Sequence, residues 1–472
     1  MKVYFITFLS TALCCWHVFA FTVTTSHLSS FSLTFPPVGT CRRRHTNQLF
    51  GTEVTKNLAE TTHEHATKIS RREIFTHAIA AYAGLTALSI QPVAAASTDD
   101  ATAAASNSPI RLSATWSATS GLNALDRNDP NFVSFDPSAY AAMRDDPART
   151  PLFRKSLQAR LEASPPESQI VVDLGTGPFA LFAIMAAELG AKKVYAIEAN
   201  PAVAAYARQT IRKQGWEDVV TVLEGFSTDV TLPEKADIIV AEIVGSVASE
   251  EGAYATILDA HQRLLKNPTD PQNWIPNRIQ TWAAPASYTL HNLFRPPEFD
   301  WTKIATEPVR FNCRDLGLAL LDDPQCVEDI SFADIGAVQA LRTTRLRFTA
   351  SAERMEENTQ NFIGEYRKGK LPKAQALELG EQAAHSCTGI AFWPRLCLPY
   401  DQIIASRSHP DGGPQRSHWQ TVLPIMAATP AAGIQGGDTI EVTCRFETPA
   451  SVTVAPKYSV EALVYTQPQG TR

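Results

Sequence analysis

Residues 168–201 read SQIVVDLGTGPFALFAIMAAELGAKKVYAIEANP, and this stretch decides the fold. Ile170–Leu174 is a short apolar run, which reads as a buried strand. Gly175 and Gly177 follow, and residues without a side chain let the backbone pass close to a ligand. Phe179–Leu189 is apolar and helix-prone, and Val194–Ile197 is a second strand ending on Glu198. A carboxylate at that point can accept both hydroxyls of a ribose. Strand, glycine turn, helix and strand make half of an open α/β nucleotide fold. Pro178 and Phe179 stand where a dinucleotide site would continue its glycine pattern, and there is no P-loop lysine. The ligand this favours over a dinucleotide has a ribose but no pyrophosphate, and S-adenosylmethionine is the natural candidate.

The alternation continues. Ala202–Gln214 reads as a helix behind Pro201. VVTVLEG (219–225) is a third strand, FSTDV (226–230) a loop that would pass the adenine at Ser227, and ADIIVAEI (236–243) a fourth strand. Ligands of such sheets lie beyond the carboxyl ends of the strands, which places Glu242 at the site. Glu242 opens AEIVGSVASEEG (241–252), and Glu251 follows nine residues later. Two nearby carboxylates could form a metal site, a general acid/base pair or a receptor for a cation. A metal would want His or Asp close by in sequence, and none is present. A guanidinium fits better, because its paired N–H donors match carboxylate oxygens. Two carboxylates can grip it from two sides and localise its charge away from the nitrogen that must attack.

AEIVGSVASEEG resembles the double-Glu loop of the protein arginine methyltransferases. AYAAMRDDPARTPLFRKSL (139–157) is similar to the family's N-terminal helix, with Met143, Asp146 and Arg149 matching its Met, Asp and Arg. VVDLGTG, with Asp173, Gly175 and Gly177, matches the first cofactor motif, and SHWQTVLPI (417–425) resembles the Thr-His-Trp loop through His418 and Trp419. The resemblance covers roughly residues 130–465. It implies that Arg149 holds the cofactor's carboxylate and Glu198 its ribose. It implies that Met143 and Trp419 contact substrate, and that His418 with Asp146 relays the released proton. It also implies a homodimer joined through a helical arm. GTG, FSTDV and EEG sit closest to the monomethylating, type III branch. Pro178, Ser417 in place of Thr, and a single module where that branch in animals has two depart from it.

From Trp274 onward short strands alternate apolar and polar residues, among them IQTWAAP, TTRLRFTA, TGIAFWPRLCL, HWQTVLPIM, DTIEVTCRFET and YSVEALVY. That pattern reads as an antiparallel barrel or sandwich. Residues 351–386 read as a helical insertion, with YRKGKLPK a solvated surface. HPDGGPQ (409–415) reads as a loop leading to His418. The expected organisation is a methyltransferase domain at 131–273 and a barrel at 274–472.

The first 130 residues read otherwise. Met1–Ala20 has one Lys, an apolar stretch and a small terminal residue, the pattern of a signal peptide. Phe21–Thr52 has no acidic residue and carries Arg42, Arg43 and Arg44, a transit-peptide composition. SRREIF, an apolar stretch and VAAAS then resemble a twin-arginine signal ending after Ala96, against an ordinary transit segment or an anchoring helix. The expectation is a plastid protein delivered to the thylakoid lumen without stable membrane insertion, with residues 97–130 a flexible mature N-terminus.

The chain of 472 residues has a formal charge of −6, and its first 96 residues hold eight Lys/Arg against four Asp/Glu. The remainder is therefore at −10, which argues against a nucleic-acid partner and is compatible with a cationic one. Of eight cysteines, Cys313, Cys326, Cys387, Cys397 and Cys444 lie beyond the presequence. They form no CxxC pair, so buried thiols are expected and a zinc site is not. The function expected is methyl transfer to the guanidinium of protein arginine. The alternatives are a methyltransferase of small cationic molecules and a non-catalytic relative that binds or assembles.

Overall fold

The computed structural model describes residues 108–118 and 137–466, apart from residues 298, 304–306, 314, 408–416 and 453. The presequence expectations and the loop at 409–415 lie outside the described residues. The first described element corrects an expectation. Strand β1 (Ile110–Ser117) lies in the stretch expected to be flexible, and it pairs along its full length with the carboxyl-terminal strand. Its IRLSATWS alternates: Leu112 and Trp116 are buried while Arg111, Ser113, Thr115 and Ser117 face out.

Helices α1 (Pro137–Arg144) and α2 (Thr150–Glu162) lead into β2 (Ile170–Leu174), α3 (Leu181–Glu188), β3 (Lys193–Glu198) and α4 (Pro201–Lys213). Strands β4 (Val220–Glu224) and β5 (Ile238–Ala241), helix α5 (Ala253–Arg263) and strand β6 (Trp274–Ile275) complete this half. The five strands are parallel in the order β4-β3-β2-β5-β6. Every residue of β2 and β5 is buried, as a sheet covered on both faces requires. Each buried Val or Ile contributes about 1.5–3 kcal/mol. Helix α3 is apolar on nearly every face, and its Phe182 stacks on Phe153 of α2 at 4.6 Å. Asn200 caps α4 by accepting the N–H groups of Ala202 and Val203, with Pro201 in the first turn. Because β6 still pairs with β5, the sheet extends just past the boundary expected at residue 273.

The second half is antiparallel. Strand β7 (Arg278–Tyr288), helix α6 (Thr289–Leu293), β8 (Val309–Asn312), β9 (Leu318–Leu320), β10 (Gln325–Ser331) and β11 (Leu341–Thr349) precede a helical hairpin. The hairpin is α7 (Ala352–Lys368) and α8 (Lys373–Ala384), the insertion expected at 351–386. After it come β12 (Ser386–Cys387), β13 (Gly389–Leu398), β14 (Gln402–Ala405), β15 (Gln420–Leu423), β16 (Ala431–Ala432), β17 (Thr439–Glu447) and β18 (Lys457–Tyr465). One sheet runs β10-β7-β13-β15-β8 and the other β1-β18-β17-β11. The hydroxyl of Thr344 on β11 donates to the Val327 carbonyl on β10 at 2.8 Å and joins them. Between them Trp116 lies 5.4 Å from Tyr458 and 5.8 Å from Phe392, and Phe446 meets Tyr458 edge-on at 4.9 Å. The architecture is thus a Rossmann-like α/β domain followed by a β-barrel.

All five cysteines among the described residues are free thiols. Burial pushes Cys387 and Cys444 up to about 12, so they are inert core residues. No helix among the described residues is long and apolar enough to cross a membrane, and no metal-binding cluster occurs among them.

Candidate active site

Strand order reverses between β2 and β5, and the glycine turn sits at that switch point. Gly175 (φ +74°) and Gly177 (φ +65°) both adopt the left-handed conformation. A Cβ on Gly177 would lie 3.4 Å from the Tyr140 ring of α1, so the helix rides directly on the turn. The Gly175 and Thr176 N–H groups donate to the Ile197 carbonyl, and the Gly177 N–H donates to Glu198 Oε2 at 3.0 Å. Glu198 Oε1 accepts from Asn200 N–H at 2.9 Å. Burial raises its carboxyl, and these backbone donors oppose the rise. Asp173 is buried beneath the turn, and its Oδ2 accepts from the Thr176 hydroxyl at 2.5 Å and the Ala183 N–H at 3.0 Å. Burial, with Glu198 adding to it, pushes Asp173 up to about 6. Asp173 thus staples the turn from below, and its Oδ1 has no protein partner. In the loop after β4, the Ser227 carbonyl is held by Arg263 at 2.7 Å.

The loop after β5 carries Glu242, and Arg149 reaches it from the start of α2. The Arg149 Nη2 lies 2.9 Å from Glu242 Oε2, with both side chains less than a tenth exposed. The second arm of Arg149 donates to the Met143 carbonyl at 2.7 Å, and its Cζ lies 4.8 Å from the Phe182 ring centre. Its Nε has no partner. Breaking so buried a pair costs about 3–5 kcal/mol, so Glu242 is firmly placed. Glu251 is half-buried. Loss of water first, then Glu242 and Glu250, push its carboxyl up to about 8, with Arg310 and Arg149 pulling the other way.

Asp146 Oδ2 accepts two N–H groups of His418, the backbone and Nδ1, each at 2.8 Å. Its Oδ1 accepts from the N–H groups of Ala148 at 2.8 Å and Arg149 at 3.0 Å. Burial opposes the charge, but these donors, His418 foremost, hold the carboxyl below its ordinary value. Trp419 departs from the expected substrate contact. It is buried, with its ring centre 4.0 Å from that of His418, and its Nε1–H donates to the Val244 carbonyl at 2.7 Å. A ring so enclosed braces the double-Glu loop from beneath and offers substrate little surface.

Several residues of this assembly gave no signal in the sequence. Gln420 N–H donates to the Ser246 hydroxyl at 3.1 Å, and Ala248 N–H to the Thr281 hydroxyl at 2.9 Å. Thr281 in turn donates to Glu328 Oε2 at 2.7 Å, and Glu328 pairs with Arg342. The Ser249 and Tyr458 hydroxyls lie 3.1 Å apart. Glu250 accepts from the Ser246 N–H and pairs with Arg310 of β8. The loop between the two glutamates is therefore built by the barrel as much as by the parallel sheet. Thr281, Arg310, Gln420 and Tyr458 lie 33 to 209 residues from the loop residues they hold, so no local spacing marks them.

Residues 131–270 match the family model described as PRMT5 arginine-N-methyltransferase. Protein arginine N-methyltransferase PRMT10 of Arabidopsis thaliana is 29% identical over 209 residues, covering 41% of this chain and 53% of that protein. Arginine N(omega)-methyltransferase of Streptomyces achromogenes subsp. streptozoticus is 32% identical over 187 residues, covering 34% of this chain and 50% of that protein. The chain spans about half or less of the length of the curated relatives it matches. Among solved structures, protein arginine methyltransferase 10 of Arabidopsis thaliana in an open conformation aligns with a TM-score of 0.49 at 16% identity, covering 68% of this chain and 92% of that one. Through residues 131–270, the chain is similar to the protein arginine N-methyltransferases.

Proposed function

We propose that this chain transfers a methyl group to the guanidinium of arginine in protein substrates. The observation that carries the reading is the pairing of Glu242 and Glu251 beyond the central strands, beside the glycine turn, with Arg149 fixed on Glu242. The groups around that turn fit S-adenosylmethionine. Arg149, whose Nε has no partner, would take its carboxylate; Glu198 its ribose; and Ser227 would stand by its adenine. When bound, S-adenosylmethionine supplies an electrophilic methyl on sulfur.

The chain's own groups do the rest. Glu242 and Glu251 accept N–H bonds from the guanidinium and hold one nitrogen toward the turn, and such positioning is worth several kcal/mol, up to about 7–11. A guanidinium also favours the ionised form of Glu251, so substrate helps to charge its own receptor. The nitrogen that gains a methyl must shed a proton. With Nδ1–H given to Asp146, His418 keeps Nε2 as the acceptor for it. Met143, near the end of α1, would border the same space.

The test uses residues 97–472, labelled S-adenosylmethionine and Arg-rich peptides, with mass spectrometry of the product. Labelled monomethylarginine is the expected first product, and a second methyl would move the chain out of the monomethylating branch. Glu242→Gln and Glu251→Gln should each abolish transfer and leave cofactor binding intact; near-native turnover by either would sink the clamp. The likeness to an arginine N(omega)-methyltransferase supports a second reading, free arginine or another small guanidine as acceptor, and the same assay with free arginine separates the two. We also propose plastid delivery, with the thylakoid lumen as destination, on the composition of residues 1–96 alone. A fluorescent fusion that stays cytosolic would end that proposal.

A further inference from the structure

The carboxylate next to Glu251 has a different task. Glu250 is buried, 3% exposed, and its Oε2 accepts from the N–H groups of Ser246 at 3.1 Å and Val247 at 3.4 Å. Both of its oxygens face one guanidinium, that of Arg310 on edge strand β8, with Nη1 at 3.3 Å from Oε2 and Nη2 on Oε1. The fit is close. A Cβ on Gly245 would lie 2.5 Å from the Glu250 Cβ and 2.9 Å from its Oε2, so any side chain there would push Glu250 away. Among the described residues β8 pairs only with β15, whose first residue directly follows His418 and Trp419. One strand pair therefore holds both ends of the assembly: Trp419 on the Val244 carbonyl and Arg310 on Glu250.

We infer that Arg310 is a positioning residue of the site. Through its two-point pair with Glu250 it fixes the loop between Glu242 and Glu251 and offsets the negative charge gathered there. The groups that bear on Glu251 are Glu242 beyond β5, Glu250 on its own loop, Arg149 from α2 and Arg310 from β8. Glu307 also bears on Arg310. Removing Arg310 strips a cation from Glu251, and removing the charge of Glu250 strips an anion. The two changes must then move the ionisation of Glu251 in opposite directions. A brace without an electrostatic part would move it in neither.

The inference rests on the proposed methyl transfer for its kinetic readout, so the test has two arms. In the first, the acid limb of the pH–rate profile is measured for the native chain, Arg310→Gln, Arg310→Lys and Glu250→Gln. Arg310→Gln should raise the limb by about one pH unit and Glu250→Gln should lower it. Arg310→Lys should keep its position but lose about tenfold or more in kcat, because an ammonium cannot span two oxygens. In the second arm, melting is followed against pH for each chain and for its Glu251→Gln partner. The difference reports the Glu251 ionisation without turnover. Shifts of the same sign in Arg310→Gln and Glu250→Gln, or none, overturn the inference. A native rate in Arg310→Lys overturns its geometric part. Should Arg310→Gln not fold, Glu250→Gln and Arg310→Lys decide it alone. Opposite shifts in melting from a chain that methylates nothing would leave this inference standing and remove the proposed function.

Discussion

Asp146→Asn attacks the site at its most connected atom. The carboxylate serves four N–H groups, two on each oxygen: Ala148 and Arg149 on Oδ1, and the backbone and ring of His418 on Oδ2. An amide keeps one oxygen. Turned toward Ala148 and Arg149, its NH2 faces two backbone donors; turned toward His418, it faces one backbone donor and a ring that can change tautomer to accept from it. A buried donor without an acceptor costs about 1–3 kcal/mol, so the amide settles toward His418 at a loss of about 1–3 kcal/mol. At about 2–4 °C per kcal/mol this is a fall in Tm of about 2–12 °C. With the amide oxygen retained on Ala148 and Arg149, the His418 ring must present a bare Nδ1 and protonate Nε2. The base is then lost, and kcat should fall about 10²–10⁴-fold with little change in KM for the peptide. His418→Ala should cost as much, and the double variant no more, because the two act as one unit. Labelled-methyl kinetics beside melting curves supply both numbers. A kcat within about threefold of native would refute the relay, whatever the melting temperature did. The sign with pH is fixed as well. The native Asp146 carboxyl lies below its ordinary value, so its stabilisation is present above the ordinary carboxylate range and lost as pH falls through the depressed value.

Three further outcomes follow from the packing. Glu251 is held neutral in the folded chain up to about pH 8 while an unfolded glutamate ionises near 4.5, so its contribution to stability declines from 4.5 to 8. Glu251→Gln should therefore melt higher than native at pH 8 and above, by up to about 5 kcal/mol in stability, while losing transfer; a lower melting point would contradict the assignment. Trp116→Ala should cost about 3–5 kcal/mol in denaturant unfolding, and truncation before residue 119 should match or exceed it, since β18 then keeps β17 on one side and loses its partner on the other. Gly380→Ala puts a Cβ 2.5 Å from Ile363 Cγ1 and 3.1 Å from its backbone nitrogen, so the α7–α8 hairpin should lose about 1–3 kcal/mol despite the better helix former.

The parallel half was legible because its strands are buried on both faces and so read as unbroken apolar runs. Ile170–Leu174 and Ile238–Ala241 fall inside the stretches read from the sequence, and the rule of carboxyl ends then places Glu198 and Glu242. β1 was not legible, since only Leu112 and Trp116 are buried in a stretch of Ser, Thr and Ala, and its stability comes from a strand about 350 residues on. Nor could the pair Glu250-Glu251 announce which acid serves the loop and which the site. That choice is made by Arg310, which the sequence offers as one arginine of many. Ala180 closes the glycine turn in the left-handed conformation at φ 45°, where no glycine pattern marks it. Trp419 shows the converse error: an aromatic residue beside a functional histidine reads as a substrate wall, while the packing makes it the floor of the loop.

The charges at the site explain why these distant contacts are needed. Three carboxylates, Glu242, Glu250 and Glu251, are set against two guanidiniums, Arg149 and Arg310. Arg149 answers Glu242 and Arg310 answers Glu250, which leaves Glu251 as the surplus acid. An unanswered buried charge costs several kcal/mol, and a group in that position escapes the cost by keeping its proton. That is the direction in which Glu251 is pushed. The protein thereby carries a receptor whose strain is relieved by one more cation, and a guanidinium has the shape to span Glu251 and Glu242 together. A neutral amide or hydroxyl relieves nothing there. An ammonium offers a point charge where two planar carboxylates ask for a fork. On the proposed function, selectivity for arginine would reside less in the two glutamates than in the loop that leaves Glu251 as the surplus acid, and that loop is held in place from the barrel.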